Sequence, residues 1–160
     1  MDATHTPATS TADFTEFYRA HHAEAVRWAL ALVGSRQVAE ELAHDSLEAV
    51  GQRLARVDNP GGYLRRTVVN AARSWHRSHL RELRRIRLVN AGQPTAYTEP
   101  TREMLDALAH LPYRQRAAVT LRYWADWTDA DIADALGCAP ATVRVLVHRG
   151  IEALRKEIEP

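Results

Sequence analysis

Apolar residues recur every three or four positions along most of the chain, the spacing of one buried helix face. Phe14, Phe17, Tyr18, His21, Ala25, Trp28 and Leu32 share such a face. Asp13, with Glu16 following it, reads as an N-cap and its capping-box partner. Gly34 reads as the stop of this first helix. Ser35 can cap a second helix, with Val38, Leu42, Val50, Leu54 and Val57 on its buried side. Asn59-Pro60 breaks the chain, and Pro60 suits the first turn of a third helix, loosened by Gly61 and Gly62. Leu64, Val68, Ala71, Ala72, Trp75 and Leu83 carry the third helix onward.

The segment Asn90 to Pro100, NAGQPTAYTEP, has prolines, a glycine and no apolar period, which is a linker signal. Beyond it, Thr101 can cap a helix lined by Met104, Leu108 and Leu111. Pro112 opens the next helix, Thr128 caps DADIADAL, and Gly137 ends it. The last helix runs from Pro140 to about Ile158, with Val143, Val147, Ile151, Leu154 and Ile158 inward and Ala139 as a poor cap. No stretch shows sustained alternation or an Asn-Gly or Asp-Gly hairpin turn. The expected fold is all-α: two small helical domains joined by a flexible linker. The expected boundaries are a disordered tail at 1–12, a first domain at 13–89, the linker at 90–100 and a second domain at 101–160.

Composition narrows the function. Hydrophobic content of 46% with 26% charged residues is that of an ordinary soluble protein. A single cysteine, Cys138, excludes an internal disulfide framework or a Cys-rich zinc site and fits a cytoplasmic location. The N-terminal MDATHTPATSTAD lacks the basic and apolar regions of a secretory signal. The longest apolar run, Trp28 to Val33, is too short to span a bilayer, so no membrane insertion is expected.

Charge is balanced overall, 21 basic against 20 acidic residues, yet it is not evenly spread. Between Leu64 and Arg87 stand eight arginines against one acid, Glu82. Such a stretch is either a solvated basic helix face or a grip for nucleic acid.

Thr128 to Gly150 has helix-turn-helix spacing. Ala133 is small where two helices would cross closely, Gly137 tolerates positive φ in the turn, and Ile132, Leu136 and Val143 can clamp the pair. In such a unit the second helix enters the major groove with its N-terminal part on base edges. The exposed face there would present Thr142, Arg144, Val145, His148 and Arg149. A plain helical hairpin has the same offsets, and Val145 and Leu146 place apolar groups where polar readers are common.

Taken in order, these segments resemble bacterial RNA polymerase sigma factors of the extracytoplasmic-function group, closest to the SigE-like actinobacterial subfamily. FTEFYRAHHAEAVRWALALVG resembles the opening helix of sigma region 2, and VAEELAHDSLEAV the helix that docks on the polymerase clamp. VDNPGGYLRRTVVNAARSW resembles the segment that melts and reads the promoter −10 element. The stretch LAHLPYRQRAAVTLRYWADWTDADIADALGCAPATVRVLVHRGIEALR resembles region 4, which reads the −35 element. The resemblance covers about Phe14 to Arg155.

It implies core RNA polymerase and promoter DNA as partners, with an anti-sigma factor as a further candidate. It implies no cofactor, metal or small-molecule substrate. The polymerase-docking row would be Glu40, Glu41, His44, Asp45 and Glu48, with Leu42 and Leu47 adding apolar contact; without the resemblance it is an ordinary acidic helix face. On the third helix Arg65, Arg66, Arg73 and Arg77 would neutralise phosphates. Tyr63 and Trp75 are aromatics near that surface, and Trp75 fits a core role as well as a stacking one. Asn70 matches an asparagine that contacts the extruded −10 base in the family. The arginines from Arg81 onward are expected to hold phosphates as the chain enters its linker.

Four departures stand out. His44 replaces a usual Gln, and Gly51 replaces a usual aromatic. The loop from Val57 to Gly62 is short, and Val145 and Leu146 replace a Ser-Arg pair. Two other classes compete. A stand-alone helix-turn-helix regulator normally adds a dimerisation or sensing domain, which is not visible here. A metal-dependent nuclease would need carboxylates beside His76 and His79 or His21 and His22, and arginines surround the first pair instead.

Overall fold

The structure is a computed structural model. It describes residues 8–89 and 99–159, with side chains for residues 12–79, 104 and 106–159. The helices are α1 (Ala8–Val33), α2 (Arg36–Gly51), α3 (Pro60–Val89), α4 (Glu99–His110), α5 (Tyr113–Tyr123), α6 (Asp129–Leu136) and α7 (Pro140–Ile158), with a 3-10 turn at Leu54–Arg56. Among the described residues there is no strand.

Several boundaries differ from expectation. Helix α1 begins at Ala8, so Asp13 and Glu16 lie inside it, and residues 8–12 are not tail. Ala8 to Ala12 contains neither proline nor glycine, and extending a helix costs far less than starting one. Helix α2 stops at Gly51, leaving Leu54 in the 3-10 turn and Val57 just beyond it. A Cβ at Gly51 would lie 2.2 Å from the Phe14 ring, so the missing side chain is what lets α1 close on the end of α2. The buried side of α2 is Ala39, Ala43, Ser46, Leu47 and Val50, while Val38 and Leu42 are half-buried. Helix α4 starts at Glu99 with Pro100 in its first turn, which places Thr101 within the helix. Met104 is exposed rather than core. Residues 1–7 of the expected tail, residues 90–98 of the expected linker, and the side chains of Leu83 and of Arg81 and the later arginines of α3 lie outside the described residues.

Ser35 and Thr128 cap as expected, accepting from the Val38 and Asp131 N–H groups. Gly137 takes the left-handed conformation at φ 68°, which reverses the chain between α6 and α7. The expected stripe of α7 is buried at Val143, Val147 and Leu154.

The two units do not each close a separate core. Trp28, Leu32, Leu47, Leu64 and Val68 from the first belong to one apolar cluster with Leu121, Trp127, Ile132 and Val143 from the second. Trp28 and Trp127 meet edge to face at 5.1 Å. The Tyr113 hydroxyl donates to the Val69 carbonyl at 2.7 Å, and burial raises its pKa.

Arg116 ties this arrangement together. It is only 6% exposed. Its Nε donates to the Leu108 carbonyl at 2.8 Å, and its Nη2 to the Ala109 and Leu111 carbonyls at 3.0 and 3.1 Å. A cation thereby meets carbonyls in and just past the last turn of α4, where the helix dipole is negative. Its Nη1 reaches His76 Nδ1 at 2.9 Å, and His76 Nε2 lies against the Leu32 carbonyl at the end of α1. A neutral imidazole protonated on Nε2 fits these contacts, donating to the carbonyl and accepting at Nδ1 from the arginine, whose Nη1 also lies 3.1 Å from Nε2. Burial foremost, with Arg116 nearby, lowers the His76 pKa from 6.5 to about 4, against the opposing pull of the Leu32 carbonyl.

Arg116→Met keeps the apolar stem and removes every donor, leaving buried carbonyls unpaired. The expected loss in unfolding free energy is about 3 kcal/mol, read by urea denaturation. His76 adds a pH dependence of definite sign. Between pH 6.5 and about 4 the unfolded chain binds more protons at this site than the folded one. The stability is therefore whole above pH 6.5 and is lost as pH falls through that window. In His76→Gln, whose amide also donates and accepts, the drop in melting temperature between about pH 7 and about pH 4.5 should be smaller than in the wild type.

Candidate nucleic-acid interface

Residues Tyr63, Arg66, Asn70, Arg73 and Arg77 fall three or four apart on α3 and form one continuous stripe. Arg66, Asn70, Arg73 and Arg77 are exposed, and Tyr63 is half-buried with its hydroxyl accepting from Arg53 at 3.2 Å. The opposite side of α3, at Leu64, Val68 and Ala72, is fully buried. A basic row on a rigid, well-packed helix can follow a phosphate backbone, and one amide within it can read a base edge.

Two of the expected residues sit apart from this row. Arg65 turns toward α6, with its guanidinium 5.8 Å from the centre of the Trp127 ring. Trp75 lies two positions from both Arg73 and Arg77, so it faces another way. It is half-buried and stacks on His79 at 4.3 Å. His76 and His79 are thereby committed to Arg116, a backbone carbonyl and an aromatic ring. Among the described residues no group of His, Cys, Asp and Glu is placed to hold a metal.

The helix-turn-helix forms as the spacing predicts. The Cys138 N–H donates back to the Ala133 carbonyl at 2.9 Å across the turn, and Ile132, Ala133 and Val143 are buried between the helices. Thr142, Arg144, Val145, His148 and Arg149 all face outward on α7. Val145 is 47% exposed, an apolar spot within a polar face. Leu146 is half-buried against the core. His148 pairs with Glu152 at 3.4 Å, and Arg144 lies 3.9 Å from Asp129, which Arg122 also holds at 2.9 Å.

The acidic row of α2 is presented as expected at Glu40, Glu41, His44, Asp45 and Glu48, with Leu42 half-buried beside it. Leu47 is different: it is fully buried, because its position places it against α1 and α3 rather than outward, and it is not a contact for a partner. The structure adds a neighbour that the α2 pattern alone did not reveal. The Tyr18 hydroxyl bonds His44 Nδ1 at 3.1 Å, and Tyr18 also stacks on His22 at 5.2 Å. The available signal was the spacing of Phe14, Tyr18 and His22 four apart on α1, a second face beside the buried one. Arg116 was also missed, since a buried arginine looks like any other in a charged helix.

Comparison with known proteins follows the same division. Residues 17–82 match the family model described as Sigma-70 region 2, and residues 101–154 the model described as Sigma-70, region 4. The chain is 28% identical over 152 residues to the RNA polymerase sigma-E factor of Streptomyces coelicolor, covering 91% of this chain and 86% of the relative. It is 33% identical over 105 residues to the sigma-E factor of Streptomyces antibioticus, covering 61% of this chain and 56% of the relative. Among solved structures it resembles the sigma factor RpoE of Bartonella quintana, determined in complex with the anti-sigma factor NepR. The TM-score is 0.68 at 23% identity, over 92% of this chain and 97% of that one. That likeness concerns the fold. No helix among the described residues is long and apolar enough to cross a membrane.

Proposed function

This chain belongs to the sigma-70 family, and we propose that it is an extracytoplasmic-function sigma factor that directs core RNA polymerase to a class of promoters. One observation carries the reading: a region 2 with a basic, asparagine-bearing helix stripe precedes, in one chain, a region 4 with an open helix-turn-helix face. A stand-alone helix-turn-helix regulator would use only the second of these.

The roles divide by surface. The exposed acids of α2, with His44 and its partner Tyr18, dock on basic groups of the polymerase clamp, and Leu42 adds apolar contact. Arg66, Arg73 and Arg77 hold phosphates along the −10 element, Tyr63 offers a stacking face at one end, and Asn70 contacts the extruded base. On α7, Thr142, Arg144, His148 and Arg149 take the −35 duplex, and Val145 suits a thymine methyl. The protein contributes recognition, and the polymerase contributes the chemistry. It acts in the cytoplasm, where the polymerase works. An anti-sigma factor, the class of partner bound to the structurally similar RpoE, is the candidate regulator.

Run-off transcription tests the whole reading: core polymerase should yield promoter-specific transcripts only when this protein is added, and an absence of such transcripts overturns it. Within that assay Asn70→Ala should reduce permanganate-reactive opening of the −10 region by about tenfold while upstream protection persists, given the scale of one base contact. Arg149→Ala should do the reverse, weakening upstream protection and lowering its salt dependence. Equal loss of both signals in both variants would contradict the division of surfaces.

A further inference from the structure

One carboxylate at the edge of the helix-turn-helix face is shared between arginines of two other helices. Asp129 is the first residue of α6, directly after the Thr128 cap. Its Oδ1 accepts from Nη1 of Arg122, in the last turn of α5, at 2.9 Å. Its Oδ2 faces Nη1 of Arg144, on α7, at 3.9 Å. The Asp129 side chain is only 23% exposed, against 62% for Arg144. The acid is thus largely withdrawn from water, while the arginine it faces stands open. On the outward face of α7, Arg144 is the cation that meets an acid of another helix, whereas His148 pairs with Glu152 on its own helix.

Charge and distance together limit what this acid does. A separation of 3.9 Å is too long for a hydrogen bond, so Asp129 orients the guanidinium by attraction and leaves its N–H groups for other acceptors. A carboxylate here also repels a phosphate, which makes backbone clamping by Arg144 less favourable than it would be alone. A guanine edge offers two acceptors, O6 and N7, that match the guanidinium fork and carry no full negative charge. Arg122 anchors the other carboxylate oxygen, which stops Asp129 from swinging round to occupy Arg144 itself. An exposed ion pair of this kind adds little stability. An acid in the first turn of α6 suits the helix dipole, but that role needs neither arginine.

We propose that Asp129 is a positioning residue for base reading: anchored by Arg122, it aims the Arg144 guanidinium at a guanine edge of the upstream duplex and disfavours its use on phosphate. Specificity is a difference of affinities, and a charge that penalises the unselective contact raises it. This deepens the promoter reading above and rests on it for the DNA-binding role of α7.

The test is selection from a random-sequence duplex library by core polymerase carrying the full-length protein, with sequencing of the enriched duplexes. The wild type should enrich a guanine at one position of the upstream element. Arg144→Lys, which keeps the charge and loses the fork, should abolish that preference. Asp129→Asn should lower it by about fivefold, within the range of one bidentate contact. The same variant should bind unselected duplex more tightly and with a steeper salt dependence, because Arg144 is then available to a phosphate. A merely structural role would weaken both kinds of binding together. Arg122→Gln, which releases the carboxylate but keeps its charge, should lower the same preference. In the Arg144→Lys background Asp129→Asn should alter base preference no further. Asp126→Asn makes the same charge change just before α6, at a φ of 57° that asparagine tolerates, and should leave the preference intact.

The proposal is overturned if Asp129→Asn enriches the same bases as the wild type, if Arg144→Lys leaves the guanine preference intact, or if Asp126→Asn reproduces the effect of Asp129→Asn. A loss in Asp129→Asn that Arg122→Gln does not share, or that persists in the Arg144→Lys background, also overturns it. Failure of the wild type to enrich any sequence would remove the promoter reading itself. An enriched wild-type element that Asp129→Asn leaves unchanged removes only the role given to Asp129.

Discussion

The buried guanidinium of Arg116 is the constraint from which the arrangement of the two units follows. A cation cannot be taken out of water without dense compensation. Here the end of α4, the ring of His76 and, through that ring, the end of α1 supply it together. Because the donors of one planar group must reach all these partners at once, α4, α5, α3 and α1 have little freedom to slide. With α5 fixed against α3 in this way, Tyr113 falls under the Val69 carbonyl and Trp127 against Trp28. Helix α6 is then carried over the basic face of α3, so the position of Asp131 and Asp134 is a downstream result of how one arginine is buried.

The energies set limits on what each part can do. Arg66 and Asp134 are both half-exposed, and a pair of this kind contributes roughly 0.2–1 kcal/mol. The unpaired Trp127 N–H opposes closure by about 1–3 kcal/mol. Apolar burial at Trp28, Trp127 and Ile132 must therefore supply most of the attraction. The ion pairs act as the adjustable part. They are the part that salt or a competing charge can replace.

What was legible in the sequence was whatever depends on local rules. The helices, the Gly137 turn, the capping by Ser35 and Thr128 and the buried stripe of α7 all follow from residues a few positions apart. The segment order also disclosed the family. What escaped depends on distant partners. Phe14 fills the space that a side chain at position 51 would need, and nothing within α2 announces that. Leu47 belongs to the core because α1 and α3 flank it, although its place in an acidic row suggested an outward role. Trp75 and Arg65 lie in the right segment but point away from the stripe, which a list of nearby aromatics and arginines does not distinguish. Arg116 is one arginine among many until three carbonyls and an imidazole surround it.

The two faces of the first unit differ in one further respect. While Arg65 and Arg66 are paired to α6, Glu40, Glu41, His44, Asp45 and Glu48 remain exposed on α2. A partner can then reach α2 without breaking the α3–α6 contact, whereas on α3 Arg66 is paired to α6 and Asn70, Arg73 and Arg77 stay exposed. The net charge of the whole protein, only +1, adds little long-range pull on a polyanion, so any such contact depends on the local basic stripe of α3.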